Sequence, residues 1–267
     1  MDALGYIAAV LIGLSLGMIG SGGSILTVPV LVYLFHINPL LATTSSLFIV
    51  GTTSLVGGLR AYGRSLVDFK AVTEFGIPSI FSIFITRHYL LPLLPATIFR
   101  IGHENVSREM FLMVFFAILM LAASISMITV NEDKVRHSGT EKDRHQKAVP
   151  LVLLGLLIGV ITGLLGAGGG FLIIPTLVLF LRLSMKTAVG TSLLIIAINS
   201  LFGFLFSLKQ FQYDWKLLIT FTLLSIAGIF IGIALAERVS PASLKKGFGW
   251  FILVMGIYII LRELVLT

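Results

Sequence analysis

The chain has 267 residues, of which 57% are hydrophobic and only 12% charged, with a formal net charge of +7. Long stretches offer no polar face on which a soluble helix could meet water, so an ordinary soluble domain is excluded. The absence of cysteine rules out disulfides, thiolate metal sites and cysteine nucleophiles, and the basic residues sit between apolar runs, where they orient membrane helices instead of binding nucleic acid.

No Lys, Arg, Asp or Glu occurs from Ala3 to Leu59. Asp2 is the only charge before Arg60, so the first run lacks the basic leader of a signal peptide and reads as a membrane segment over 4–20. It runs into the phrase GLSLGMIGSGGSILTVPVL, Gly13 to Leu31. The apolar segments that follow are 24–35, 41–60, 71–91 and 109–130. A charged stretch without periodicity, Asn131 to Lys147, then reads as a solvated linker. Its His137 and His145 are too few for a metal site. After it come 149–166, 170–181, 187–208, 216–236 and 247–266. The second segment on each side of the linker has about a dozen residues, and at ~1.5 Å per residue it is too short to cross a ~30 Å hydrocarbon core. Each glycine cluster is therefore expected to join a helix to a short return helix.

The two sides are related. Residues 13–70 align with 159–216 without a gap, pairing Gly20 with Gly166, Gly22 with Gly168, Gly23 with Gly169, Pro29 with Pro175, Ser46 with Ser192, Ser54 with Ser200 and Asp68 with Asp214. Internal duplication of this kind is characteristic of secondary transporters. If each glycine-linked pair enters and returns on one side, thirteen Lys and Arg fall on one face and six on the other. Counting each pair as one crossing gives eleven and eight, a poorer fit to the positive-inside rule. The expected fold is an all-α polytopic membrane protein made of two inverted repeats, 1–130 and 148–267. Each holds a glycine-broken short helix pair and three further helices, and a cytoplasmic linker, 131–147, joins them.

The glycine clusters suggest the chemistry. Glycine lets the backbone turn and expose its N–H groups. Irregular chain at membrane depth survives only inside protein or beside water. A break followed by a new helix presents free N–H groups and the positive end of a dipole, a site for an anion that needs no formal charge. The candidate donors are Gly20, Ser21, Gly22, Gly23 and Ser24 in the first break, and Gly166, Gly168, Gly169 and Gly170 in the second. Gly13, Gly17, Gly159, Gly163, Gly228 and Gly232 stand at GxxxG spacing and read as helix-packing positions. Neither cluster ends in the Gly-Lys-Ser/Thr of a phosphate loop.

A polar cluster follows each break: ATTSS, Ala42 to Ser46, and AVGTS, Ala188 to Ser192, with Thr53 and Ser54 matched farther on by Asn199 and Ser200. Helical Ser and Thr can bond to a carbonyl one turn back, but their density in an apolar helix points to Ser45, Ser46, Thr191, Ser192 and Asn199 as donors along a solute path. Glu74, Arg87, His88 and Glu237–Arg238 lie near segment ends and read as interface residues or local pairs. Arg182 and Lys186 read as solvated positive-inside residues. No HExxH, paired carboxylates or Ser/His/Asp set lies within the membrane segments, so neither a catalytic residue nor a metal or organic cofactor is expected.

The phrases GMIGSGGSILTVPVL with ATTSSL, GLLGAGGGFLIIPTLV with AVGTSLLIIAINS, and the VDF and YDW turns at Val67–Phe69 and Tyr213–Trp215 resemble the TauE/SafE family of sulfite exporters and membrane transporters over nearly the whole chain. The resemblance implies export of a small sulfur anion, sulfite or an organosulfonate such as sulfoacetate, across the cytoplasmic (inner) membrane, with Gly20 to Ser24 and Gly166 to Gly170 in the transport core. The expected partners are that anion and the lipid bilayer. An anion channel, a membrane sensor or assembly subunit, and a homo-oligomer all stay open.

Overall fold

The computed structural model describes residues 2–95, 97–101, 104–129, 148–166, 168–236 and 241–265. The linker 131–147, Ala167 and Glu237–Arg238 lie outside the described residues. Helix α1 (Asp2–Ile19) leads into a 3-10 turn (Ser21–Leu26) and a short α2 (Thr27–Tyr33). Next come α3 (Pro39–Gly63) and α4 (Phe69–Ile85), which continues through a π turn (Thr86–Leu90) into α5 (Leu91–Leu93). A small antiparallel hairpin, β1 (Thr97–Ile101) and β2 (Glu104–Ser107), interrupts the otherwise helical chain before α6 (Arg108–Thr129). The second half holds α7 (Ala148–Leu165), α8 (Gly170–Phe180), α9 (Met185–Ser207), α10 (Trp215–Ala236) and α11 (Pro241–Val265). Five of the described helices are long and apolar enough to cross a membrane: Pro39–Gly63, Phe69–Leu93, Arg108–Ile125, Met185–Ser207 and Trp215–Ala236.

The core is apolar, with Ile12, Leu16, Ile25 and Leu31 fully buried, but the surface is apolar as well and many hydroxyls lie inside. Leu4, Ile7 and Leu11 form one exposed apolar stripe on α1, and Ile77, Phe81, Leu153, Leu157 and Leu223 are likewise exposed. Ser24, Thr43, Thr44, Ser46, Thr53, Ser54, Ser192, Asn199 and Ser200 are buried. Aliphatic side chains outside and hydroxyls inside suit a hydrocarbon solvent, where only polar groups gain by turning inward.

The halves interlock by exchanging equivalent contacts. Helix α1 packs on α10 while its counterpart α7 packs on α4, and α3 pairs with α9 and α6 with α11. The exchange holds residue by residue. A Cβ at Gly13 would collide with the Ser225 carbonyl, and one at Gly159 with the backbone of Ser79, the residue equivalent to Ser225. Gly57 faces Ile229 and Leu193, and Gly203 faces their equivalents Ile83 and Leu47. The local chemistry repeats too. Asp68 Oδ1 accepts from Ala71 N at 3.0 Å to start α4, and Asp214 Oδ1 accepts from Leu217 N at 3.1 Å to start α10. His36 and Arg182, at equivalent positions just before α3 and α9, share a left-handed backbone (φ 54° and 53°). The first helix pair is a return hairpin: Phe35, just past α2, packs edge-on against Tyr6 at the start of α1, 5.5 Å between ring centres.

Candidate functional site

The two glycine breaks meet near the centre of this interlock. The 3-10 turn of the first break packs against α8, which opens at the second. Gly20 (φ 79°) lies against Val189 of α9 and Ile174 of α8. Its counterpart Gly166 (φ 68°) lies against Thr43 of α3, the residue equivalent to Val189. Both positions need a left-handed backbone and tolerate no side chain, which is why glycine stands there.

The breaks differ in shape. The first carries six residues of 3-10 helix, Ser21–Leu26, before α2 begins. The second turns more sharply, with Gly168 (φ 69°) and Gly169 (φ 65°) both left-handed, and leads directly into α8. Gly169 offers no side chain to cap α8, and among the described residues no side-chain acceptor takes its first N–H groups; Leu172 N–H turns back to the Gly169 carbonyl at 3.0 Å, and the positive end of the 11-residue dipole is left to the residues before it. Gly23 and Gly169 each pack back onto the incoming helix, against Ser15 and Thr162 respectively. Ser24 is fully buried, Gly22 lies in the 3-10 turn, and the Ser21 side chain lies outside the described residues.

The hydroxyls expected along a solute path divide by what they touch. Ser46 Oγ donates to the Gly166 carbonyl at 2.6 Å and so holds the second break against α3. Its counterpart Ser192 donates instead to the Val189 carbonyl of its own helix at 2.8 Å. Thr191 accepts from the Asp68 N–H at 2.9 Å, tying α9 to the loop before α4. Ser45 is buried in α3. Asn199 Oδ1 accepts from Ser79 Oγ at 2.9 Å, while its Nδ2 is buried with no partner. The Ser54, Thr53 and Ser200 hydroxyls are also buried and unpartnered. Ser200 Oγ faces the second break, 3.1 Å from where a Cβ on Gly168 would stand. Buried donors of this kind are costly unless something hydrogen-bonds to them. Thr53, Ser54 and Ser200 were visible in the sequence as part of the polar clusters, but nothing there distinguished them from their self-satisfied neighbours.

Arg87 departs from the sequence reading. It is not at an interface: it is completely buried, in the π turn between α4 and α5. That turn closes with Leu91 N–H donating to the Thr86 carbonyl. Its wider geometry is what Pro92 demands, since proline cannot donate to the carbonyl one α-turn back and its ring would strike it. Arg87 Nη1 donates to Thr44 Oγ1 at 2.8 Å. Tyr213, in the loop after α9, donates to the Ser207 carbonyl at 3.0 Å, and burial pushes its phenol up to about 12, so it stays neutral near pH 7.

The sequence profile described as "Sulfite exporter TauE/SafE" matches residues 5–259. The chain belongs to the TauE/SafE sulfite exporter family. It is 28% identical over 264 residues to a "probable membrane transporter protein" of Xylella fastidiosa, covering 95% of this chain and 92% of that one. It is 26% identical over 270 residues to one from Methanocaldococcus jannaschii, with 94% of each chain covered. The Bacillus subtilis "probable membrane transporter protein YjnA" is 28% identical over 258 residues, covering 93% of this chain and 96% of that one. No solved structure matches. Membership in the TauE/SafE family gives the class, a multi-pass membrane transporter, and leaves solute, direction and mechanism to the chemistry of the site.

Proposed function

We propose that this TauE/SafE protein exports a small sulfur oxyanion or sulfonate, sulfite or sulfoacetate, across the cytoplasmic membrane by alternating access between two inverted repeats. The observation that carries this reading is the meeting of the two glycine breaks beside buried, unpartnered donors on α3 and α9. An oxyanion leaving water must have its hydration replaced by hydrogen bonds. The first turn of α8, Ser200 Oγ and Asn199 Nδ2 are donors without a net charge, suited to hold such a solute and release it again. Reciprocal packing of the halves supports a rocking motion of one repeat against the other around a central site. The membrane potential, negative inside, drives an anion outward.

The test is flux into proteoliposomes with a panel of sulfite, sulfate, thiosulfate, sulfoacetate and taurine. Saturable movement of sulfite or sulfoacetate is expected. Non-saturating current would indicate a channel. No flux, with function lost on deleting 131–147, would indicate a sensor or assembly subunit.

Asn199→Leu gives a sharper result. Ser79 Oγ also reaches the Gly76 carbonyl at 2.9 Å, so it keeps an acceptor when the Asn199 amide is removed. Stability should change by less than about 1 kcal/mol, since the lost Ser79–Asn199 hydrogen bond is offset by removal of the unpartnered buried Nδ2 while Ser79 keeps an acceptor. Flux should fall roughly 10-fold or more, the worth of one hydrogen bond to a charged group. Melting temperature and initial uptake rate, measured on the same preparation, separate the two effects.

A further inference from the structure

Resting on the reading that the solute is an oxyanion, we propose that Arg87 binds its charged group through the Nε–Nη2 edge of the guanidinium. Arg87 is fully buried, and among the described residues no Asp or Glu pairs with it. Its Nη1 corner is fixed by Thr44 Oγ1, while Nε and Nη2 have no partner. Those two nitrogens lie side by side on the planar group, the fork that grips two oxygens of a carboxylate, sulfite or sulfonate at once. A buried guanidinium keeps its charge, and a buried charge without a counter-ion strongly destabilises the fold that holds it. A bound anion on the open fork removes that penalty.

The placement agrees. Thr44 adjoins Thr43, whose backbone packs against Gly166. Thr86, next to Arg87, packs against Gly163, three residues before the same break. Arg87 thus lies beside the second break, joined to it through α3 and α7. The repeat-equivalent position is Ile233, so duplication supplies two breaks but only one such cation. One guanidinium neutralises one anionic group, which gives the site a single charged anchor and leaves the remaining oxygens to uncharged donors.

The wild type, Arg87→Lys and Arg87→Gln are reconstituted, and KM and kcat are measured for sulfite and sulfoacetate. If the wild type moves neither, the transport reading fails and takes this one with it. If it moves either, the variants decide the role of Arg87 alone. Arg87→Gln is expected at background flux. Arg87→Lys keeps the charge but loses the two-point grip, so its KM should rise about 10- to 100-fold with a smaller change in kcat. Unchanged KM and kcat in both variants would overturn the assignment and leave the transport reading standing. If neither variant is recovered as a monodisperse protein, the wild type decides by its melting temperature. Methanesulfonate should raise it more than chloride at equal ionic strength, and equal effects of the two would overturn the proposal.

Discussion

Gly166→Ala is expected to abolish transport and to lower the yield of folded protein. The substitution puts a Cβ into the Thr43 backbone, with the Thr43 Cα only 2.7 Å away. It also forces alanine into a left-handed conformation at φ 68°. The backbone strain costs roughly 1–2 kcal/mol and overpacking a further 1–3 kcal/mol or so. Neither can be relieved locally, because the Gly166 carbonyl is held by Ser46 on the same helix. Gly168→Ala carries the same left-handed strain at φ 69°, but without a backbone collision it is the milder control. Its Cβ would meet the side-chain ends of Ile196, Ser200 and Val50 at 2.9, 3.1 and 3.1 Å, and these can shift. It should fold and yet lose flux, because the methyl group covers Ser200 Oγ. Size-exclusion profile and uptake rate check both variants.

Gly13→Ala and Gly159→Ala should destabilise the protein by similar amounts, although they lie in different halves. At Gly13 the added methyl strikes the Ser225 carbonyl of α10, and at Gly159 it strikes the Ser79 carbonyl of α4. Each contact sits within the long packed face of one cross-half pair, α1 with α10 or α7 with α4. One methyl therefore separates two backbones along their length, at about 1–3 kcal/mol or more. Melting temperatures in detergent should fall together. A large drop in one with none in the other would contradict the equivalence of the two interfaces.

The sequence made the repeat, the breaks and the packing glycines legible because each depends on a residue type that little else can replace. A positive φ in a crowded turn requires glycine at 20, against the Val189 and Ile174 side chains, and at 166, against the Thr43 backbone, and a helix start takes Asp at 68 and 214. Serine and threonine were harder to read, since their partners depend on which helix lies opposite. Ser46 and Ser192 are equivalent in sequence, yet one reaches across to the second break and the other bonds to its own helix. The six-residue 3-10 turn of the first break was likewise hidden, because the two glycine clusters look alike as text. Arg87 was the largest gap. A cation near the end of an apolar run ordinarily reaches the interface. Here α7 and α9 close over the π turn instead, Thr44 of α3 takes a hydrogen bond from Arg87, and only the later Pro92 hinted at irregular backbone there.

The most direct measurement of the central claim, that the two breaks and Arg87 enclose one oxyanion, is anomalous diffraction from crystals soaked in selenite, the selenium analogue of sulfite. The account predicts a selenium peak between residues 20–24 and 166–170, close enough to the Arg87 guanidinium for the selenite oxygens to accept its hydrogen bonds. Peaks confined to surface loops, in a protein that still carries sulfite in proteoliposomes, would contradict it.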